Sequence, residues 1–224
     1  MKLLIISDIH SNYEALKTLD YYIDNSDMVV CLGDILGYHC DVNEVIDYLK
    51  KKKVKCILGN HDLYVIHGLE NVKKELNESV IFGIDYARKI ITSNNLEWLR
   101  NLMTSFSIFI ENKSLLFCHG SPWDVTNEYM YSNKINVDKL SEFCFDYICY
   151  GHTHRADIKY TDNNRILINP GSVGQSRDKL RKVCAKLLDT DNMQIHDIEL
   201  DYDYQKTILK CIENGASNWI YKHF

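Results

Sequence analysis

Seven side chains able to hold a metal ion stand just beyond the ends of five short apolar runs. Residues 2–7 lead into Asp8 and His10, residues 28–32 into Asp34, and residues 54–58 into Asn60 and its neighbour His61. Residues 114–118 lead into His119, and residues 146–150 into His152 and His154. Gly33, Gly59, Gly120 and Gly151 neighbour four of these clusters, and glycine lets a backbone turn sharply where a side chain must face a ligand. Two carboxylates, four imidazoles and one amide form a mixed oxygen and nitrogen set. Such a set suits divalent Mn, Fe, Zn, Co or Ni better than the all-oxygen cages of Ca or Mg. Seven donors exceed the needs of one open catalytic site. They suit two ions about 3.5–4 Å apart that share a carboxylate and clamp an in-line displacement at phosphorus. Such a pair also lowers the pKa of a water between them.

The elements that must position these groups follow from periodicity. The runs 2–7, 28–32 and 54–58 read as buried strands. Between them, Tyr13, Leu16, Leu19 and Ile23, then Val42, Val45, Ile46 and Leu49, recur at helical spacing, with Asn12 or Ser11 and then Asp41 as caps. Strand, helix, strand, helix, strand at this pitch implies parallel pairing through right-handed crossovers. Residues 63–103 read as mostly helical. Beyond them come strands at 105–110 and 114–118 around Glu111-Asn112-Lys113, a helix near 136–143, and strands at 146–150, 165–169, 182–188 and 193–198. A last amphipathic helix is predicted over 203–213. An α/β first half and a strand-rich second half are reconciled by two sheets packed face to face with helices on both outer faces. In open α/β sheets ligands bind beyond the carboxyl ends of the strands, where all five clusters fall.

Asp8-Ile9-His10-Ser11-Asn12, Gly33-Asp34, Gly59-Asn60-His61-Asp62, Cys118-His119-Gly120 and Gly151-His152-Thr153-His154 resemble, in order, the five blocks of the calcineurin-like metallophosphoesterase superfamily. The small bacterial and archaeal branch of predicted phosphoesterases is nearer still. Its marks include Gly33 to Tyr38 followed by Asn43-Glu44, His119-Gly120-Ser121-Pro122 with Glu128-Tyr129, and Asn169 to Gln175. The resemblance implies a four-layer α/β/β/α sandwich and a dinuclear phosphoesterase that cleaves a phosphomonoester or phosphodiester by in-line attack of a metal-bridging hydroxide. Carried over residue by residue, it gives Asp8, His10 and His154 to one ion, Asn60, His119 and His152 to the other, and Asp34 to both. His61 would face the phosphoryl group and protonate the leaving oxygen, with Asp62 orienting it. Mn or Fe is the first expectation for the metal, with Zn, Ni or Co as alternatives. The rival functions within the superfamily are dinucleoside polyphosphate hydrolysis and a non-catalytic scaffold. In the branch, Gly-Pro-Asp-Pro follows the Gly-Tyr pair. Here His39, Cys40 and Val42 replace the glycine and both prolines, so the loop after Asp34 is expected to be less rigid.

Length and composition bound the rest. The 224 residues are read as a single domain, with 46% apolar and 25% charged residues, as in ordinary globular proteins. A net charge of −5 argues against nucleic acid, so a small phosphorylated molecule or a phosphoprotein is the expected partner. The basic run Lys50 to Lys53 reads as the solvated end of a helix. Met1-Lys2 leads straight into a run too short for a signal core, no run is long enough to span a membrane, and eight cysteines lack CxxC pairing. Cytoplasmic location is therefore expected. His39 reads as a solvated loop residue, with a reach into the cleft as its alternative, and His67, His196 and His223 as surface or core histidines outside the blocks. Trp123 and Tyr131 are placed as cleft walls or as packing, Arg177 as a phosphate contact or a salt-bridge partner, and Tyr202 and Tyr204 as core or sheet cover. Trp219, Ile220, Tyr221 and Phe224 in the tail could pack on the body or on a second subunit.

Overall fold

A computed structural model describes residues 1–135, 137–162, 164–177 and 181–217. Trp219, Ile220, Tyr221, His223 and Phe224 lie outside them. Two five-stranded mixed sheets face each other. The first has β1 (Lys2–Ile6), β2 (Met28–Cys31) and β3 (Lys55–Cys56) parallel, with β9 (Val183–Asp189) and β10 (Gln194–Leu200) added antiparallel beside β1. The second runs β4 (Ser105–Ile110), β5 (Lys113–Cys118), β6 (Tyr147–Cys149), β8 (Ile166–Pro170) and β7 (Ala156–Tyr160), with β5, β6 and β8 parallel.

Alternation along the strands builds the layers. Leu3 and Ile5 of β1 point inward and meet Leu115, Phe117, Tyr147, Cys149 and Ile168 of the second sheet. Leu4 and Ile6 point outward, into a core shared with α3 (Val42–Lys51), α5 (Glu78–Ile90) and α6 (Ser93–Arg100). Leu116, Cys118 and Ile148 are buried on the outer face of the second sheet, beneath Met130 and Leu140, the latter on α7 (Val137–Ser141). The period of two thus serves three layers of apolar contact from one strand set. The result is the four-layer α/β/β/α sandwich.

Two expectations shift. The third strand is two residues long rather than five, because beyond Cys56 the chain shares its hydrogen bonds: Ile57 N–H donates to Cys31 (3.0 Å) and Leu58 N–H to Met103 (2.8 Å). β7 was not anticipated. It is an edge strand of mixed polar residues, with no apolar run to mark it, and antiparallel pairing with β8 creates it. The segment 12–24 forms α1 (Tyr13–Leu16), a 3-10 turn (Lys17–Leu19) and α2 (Asp20–Asp24), capped by the Asn12 side chain on Ala15 N–H. Lys52, just past the end of α3, pairs with Asp24 on the surface, as a solvated helix end would, while Lys50 donates to the buried Asn95. Tyr202 packs against the helical core, and Tyr204 opens α8 (Tyr204–Glu213). Among the described residues no helix is long and apolar enough to cross a membrane, and the eight cysteines are free, all buried except Cys144.

Candidate metal centre

The parallel ladder of β1 and β2 does not stop at the strand ends. Asp8 N–H donates to Gly33 (3.0 Å), His10 N–H to Asp34 (2.9 Å) and Ser11 N–H to Ile35 (2.9 Å). These bonds hold a backbone that side chains rarely adopt. Asp8, His10, Asp34, His152 and His154 all have φ between 50° and 64°, in the left-handed region. Each such residue costs on the order of 1–3 kcal/mol, and it persists only where surrounding bonds over-determine it. In these left-handed turns beyond the strand ends the five side chains come together.

Two donor groups form there. Asp8, His10, Asp34 and His154 make one, and Asp34, His119 and His152 the other; in each, the donor atoms lie within 4.8 Å of one another and all the residues are buried. Asn60 Oδ1 stands 3.2 Å from His119 Nε2, which brings it to the second group. Within the groups, His10 Nε2 is 3.1 Å from His154 Nε2, His119 Nε2 is 3.1 Å from His152 Nδ1, and His154 Nε2 is 3.2 Å from Asp8 Oδ1. Metal bonds of about 2.0–2.2 Å put neighbouring ligand atoms roughly 3 Å apart, so these spacings are those of a coordination shell.

The imidazole tautomers point the same way. Nδ1 of His10 faces the Leu36 carbonyl (3.2 Å), Nδ1 of His119 the Leu32 carbonyl (2.8 Å) and Nδ1 of His154 the Gln175 carbonyl (2.6 Å). A carbonyl only accepts, so these nitrogens carry the hydrogen and Nε2 is left with a free lone pair. His152 is reversed and presents Nδ1 to the centre. Asp34 receives the His61 backbone N–H on Oδ1 (2.9 Å), which leaves Oδ2 facing both groups, 3.7 Å from His10 Nε2 and 3.4 Å from His119 Nε2. Asp34 Oδ2 and Asp8 Oδ1 are fully buried acceptors with no hydrogen-bond partner among the described residues. An orphaned carboxylate oxygen at the focus of several imidazole lone pairs fits a cation.

Electrostatics agree. Burial alone would raise the Asp34 carboxyl, yet His119, His61 and His10 hold it well below the carboxylate range. Burial and the neighbouring imidazoles keep His10 neutral, and push His152 down to about 3. Burial would lower His119 too, but the Asp34 and Asp8 carboxylates and the Leu32 carbonyl together outweigh it and lift the ring to about 9. The field that attracts a proton to His119 Nε2 would equally favour a metal ion there.

The first turn of α4 (Asn60–His67) separates two neighbours. Successive helical residues diverge by about 100°. Asn60 turns toward His119, while the His61 ring lies outside both donor groups, stacked on Tyr38 (5.1 Å between centroids) and edge-on to His10 (4.8 Å). Its Nε2 is 3.9 Å from Asp34 Oδ2, and its Nδ1 has no hydrogen-bond partner among the described residues. Asp62 therefore does not orient the ring. Its carboxylate accepts from the N–H groups of Ile35 (3.2 Å), Leu36 (3.0 Å) and Gly59 (3.0 Å), caps α4 and ties it to the loop carrying Asp34. Burial, together with Asp34, raises Asp62 to about 7 despite those three donors.

That tie corrects the expectation for residues 35–42, all of which are buried. His39 is 1% exposed rather than solvated, and its Nδ1 bonds the His10 carbonyl at 2.8 Å. Hydrogen bonds from His39 and Asp41 to the His10 and Ser11 carbonyls tie the loop down where the prolines are missing. The Asn169 to Gln175 turn is a second brace: Ser172 Oγ and Gly174 N–H donate to the Asp8 carbonyl, and Asn169 Nδ2 donates to Gly151. Trp123 packs over the outer face of the second sheet beside Lys139. Tyr131 stacks on Tyr129, whose ring lies 3.8 Å from that of His152. Tyr38 and Tyr129 are thus the aromatic walls, and neither was assigned a role from the sequence. The order of the blocks could have flagged them, since each follows a ligand loop. His67 and His196 are exposed and belong to neither group.

The glycines beside the ligands are needed more for closeness than for left-handed turns. A Cβ on Gly59 would fall 2.2 Å from Asp34 Oδ1, and one on Gly151 would fall 2.1 Å from Ser7 Oγ. Gly59→Ala is expected to push Asp34 out of line, so that the purified protein carries less metal per chain than the parent while its circular dichroism is unchanged. Full metal content in the variant would mean that Asp34 has slack the structure does not show.

Comparison with known proteins fits this centre. Residues 1–193 match the calcineurin-like phosphoesterase superfamily domain. The chain belongs to that superfamily. It is a phosphate ester hydrolase with a divalent-metal site. An uncharacterised protein of Methanocaldococcus jannaschii is 30% identical over 237 aligned residues, covering 96% of this chain and 94% of that one. A symmetrical bis(5'-nucleosyl)-tetraphosphatase of Buchnera aphidicola is 31% identical over 174 residues, 74% of this chain and 59% of the relative. A crystal structure of a metallophosphoesterase from Sphaerobacter thermophilus superposes with a TM-score of 0.82 at 23% identity, over 100% of this chain and 98% of the other, and shares the fold.

Proposed function

We propose that this member of the superfamily works with two divalent ions. Asp8, His10 and His154 hold one, Asn60, His119 and His152 the other, and Asp34 joins them. The carrying observation is the pair of buried donor groups that have Asp34 in common. When bound, two such ions neutralise charge at phosphorus and make a water acidic enough to act near neutral pH. The chain's own residues then divide the work. Asp34 Oδ2 keeps the two groups together, and the carbonyl-anchored imidazoles hold their lone pairs inward without rearrangement. His61, packed beside the groups but outside them, faces the phosphoryl group. As the oxygen of water bonds to phosphorus it gives up a proton to solvent, and as the bond from phosphorus to the leaving oxygen breaks a protonated His61 gives that oxygen a proton.

The mixed donor set favours Mn or Fe, with Zn, Ni and Co also accommodated. Both sheets contribute to each donor group, so the activity is carried by one domain. Eight unpaired thiols suit a reducing compartment such as the cytoplasm. The substrate is a small phosphomonoester or phosphodiester. Dinucleoside polyphosphates are the second reading, favoured by the similarity to the Buchnera tetraphosphatase. A scaffold without chemistry is disfavoured by a complete donor set and His61.

The test is a hydrolysis panel of p-nitrophenyl phosphate, bis-p-nitrophenyl phosphate and diadenosine tetraphosphate. Chelator treatment is expected to abolish turnover of every accepted substrate, and added Mn or Fe to restore it. Activity that survives removal of all metal, measured on the same sample, would rule out the two-ion reading.

A further inference from the structure

A ring that gives a proton has to be aimed, and no hydrogen bond aims His61. A working imidazole is usually turned by a carboxylate or carbonyl that accepts from the nitrogen facing away from the chemistry. His61 Nδ1 is buried without such a partner among the described residues, and the adjacent Asp62 carboxylate is taken up by the N–H groups of Ile35, Leu36 and Gly59. Gly37 fills the partner's place. A Cβ there would fall 2.5 Å from His61 Nδ1, and its φ of 111° lies in the left-handed region that favours glycine. The other nitrogen, Nε2, is the one turned to the centre, 3.9 Å from Asp34 Oδ2. The plane of the ring is set by the next residue. Tyr38 lies against its face, with the centroids 5.1 Å apart and 24° between the planes, while His10 meets it edge-on.

Tyr38 is itself firmly held. It is buried, and the chain is tied down on both sides of it. Before it, Leu36 N–H donates to Asp62, and the Leu36 carbonyl accepts from His10 Nδ1. After it, the backbone N–H and the Nδ1 of His39 both bond the His10 carbonyl, at 3.3 Å and 2.8 Å. Behind it, α5 comes close enough to need a glycine: a Cβ on Gly83 would fall 2.1 Å from the Tyr38 nitrogen. Asp62 therefore reaches its neighbour by a detour, through the backbone that leads to Tyr38. We propose that Tyr38 is a positioning residue for the hydrolysis. Its ring, with the Gly37 backbone, sets the orientation of His61 in place of the missing hydrogen bond, so that Nε2 meets the leaving oxygen. This rests on the reading of His61 as proton donor and adds what aims it.

Kinetics of the metal-loaded protein test it, with phenyl and p-nitrophenyl esters of the class accepted in the panel above. Tyr38→Leu removes the ring and should lower kcat on the phenyl ester by about 10–100-fold, the scale of loss when a reacting group is misplaced by roughly 1 Å. KM should change little, and the loss should be smaller on the p-nitrophenyl ester. Tyr38→Phe keeps the ring and should recover most of the loss. In a His61→Ala background Tyr38→Leu should cost almost nothing more, because no imidazole is left to aim. Nuclear magnetic relaxation of the His61 ring, in zinc-loaded protein with isotope-labelled histidine, should report a mobile ring in Tyr38→Leu and a fixed one in wild type and Tyr38→Phe. Should Tyr38→Leu not fold, judged by its melting curve, Tyr38→Met takes its place. An equal loss with and without His61, no loss at all, or a ring as fixed in Tyr38→Leu as in wild type overturns the assignment. So does a fall in metal content, which would assign Tyr38 to His10 instead. The two readings fail separately: full turnover in His61→Ala removes the proton donor, whereas the mobility of the ring still decides whether Tyr38 positions it.

Discussion

Asp34→Asn is expected to purify with less than its full complement of metal, and its turnover should fall in step. Asp34 Oδ2 is the one oxygen that faces both donor groups, and it is buried without a hydrogen-bond partner among the described residues. The amide keeps the shape but loses the negative charge that holds two cations side by side. Losing even an outer partner of a ligand costs roughly 10–100-fold in metal affinity, so losing the shared ligand should cost at least that. His39→Ala is the matched control. It removes a buried hydrogen bond to the His10 carbonyl, worth about 1–3 kcal/mol of stability, and leaves every donor in place. Metal analysis by mass spectrometry and a melting curve separate the two outcomes. If Asp34→Asn keeps both ions, or if His39→Ala loses as much metal, Asp34 is not the bridge.

His61→Ala should show the opposite pattern, with metal retained and turnover lost. Asn60 and His61 diverge on the first turn of α4, and only Asn60 reaches a donor group. A positioned general acid contributes on the order of 10²–10⁴-fold, and the loss should be of that size. It should shrink for p-nitrophenol esters, whose leaving group needs little protonation, and be largest for alkyl esters. Loss of metal in the variant would make His61 a ligand. A loss that is uniform across leaving groups would assign it to phosphoryl binding without proton donation.

Much of this centre was legible in the sequence, because strand ends are local features. A short apolar run followed by Asp8, Asp34 or His119 needs no tertiary knowledge to be noticed, and the fold places such ends together. What escaped was the set of contacts between loops distant in sequence. Asp62 looked like the partner of its neighbour His61, but the helix turns the two apart, and the carboxylate serves the backbone of Ile35 and Leu36 instead. His39 looked solvated because its loop had lost its prolines. The bond to His10 that buries it lies 29 residues away in sequence. Tyr38 and Tyr129 were invisible as a pair, since only the facing of the two sheets brings them against the two donor groups. The edge strand β7 is defined by its pairing with β8 and not by its own composition.

Each donor group takes residues from both sheets, and His10 and His154 are 144 positions apart. Nothing short of complete docking of the two halves creates a binding shell, so an incompletely folded chain offers no shell to load. An ion that binds only the docked form is a fastener across the seam. At a free concentration a hundred times its dissociation constant, one such ion adds about 2.7 kcal/mol to the stability of the folded state. Metal starvation would therefore loosen the joint between the sheets as well as silence the chemistry. A substitution anywhere along that joint, however far from phosphorus, would register first as weaker metal retention.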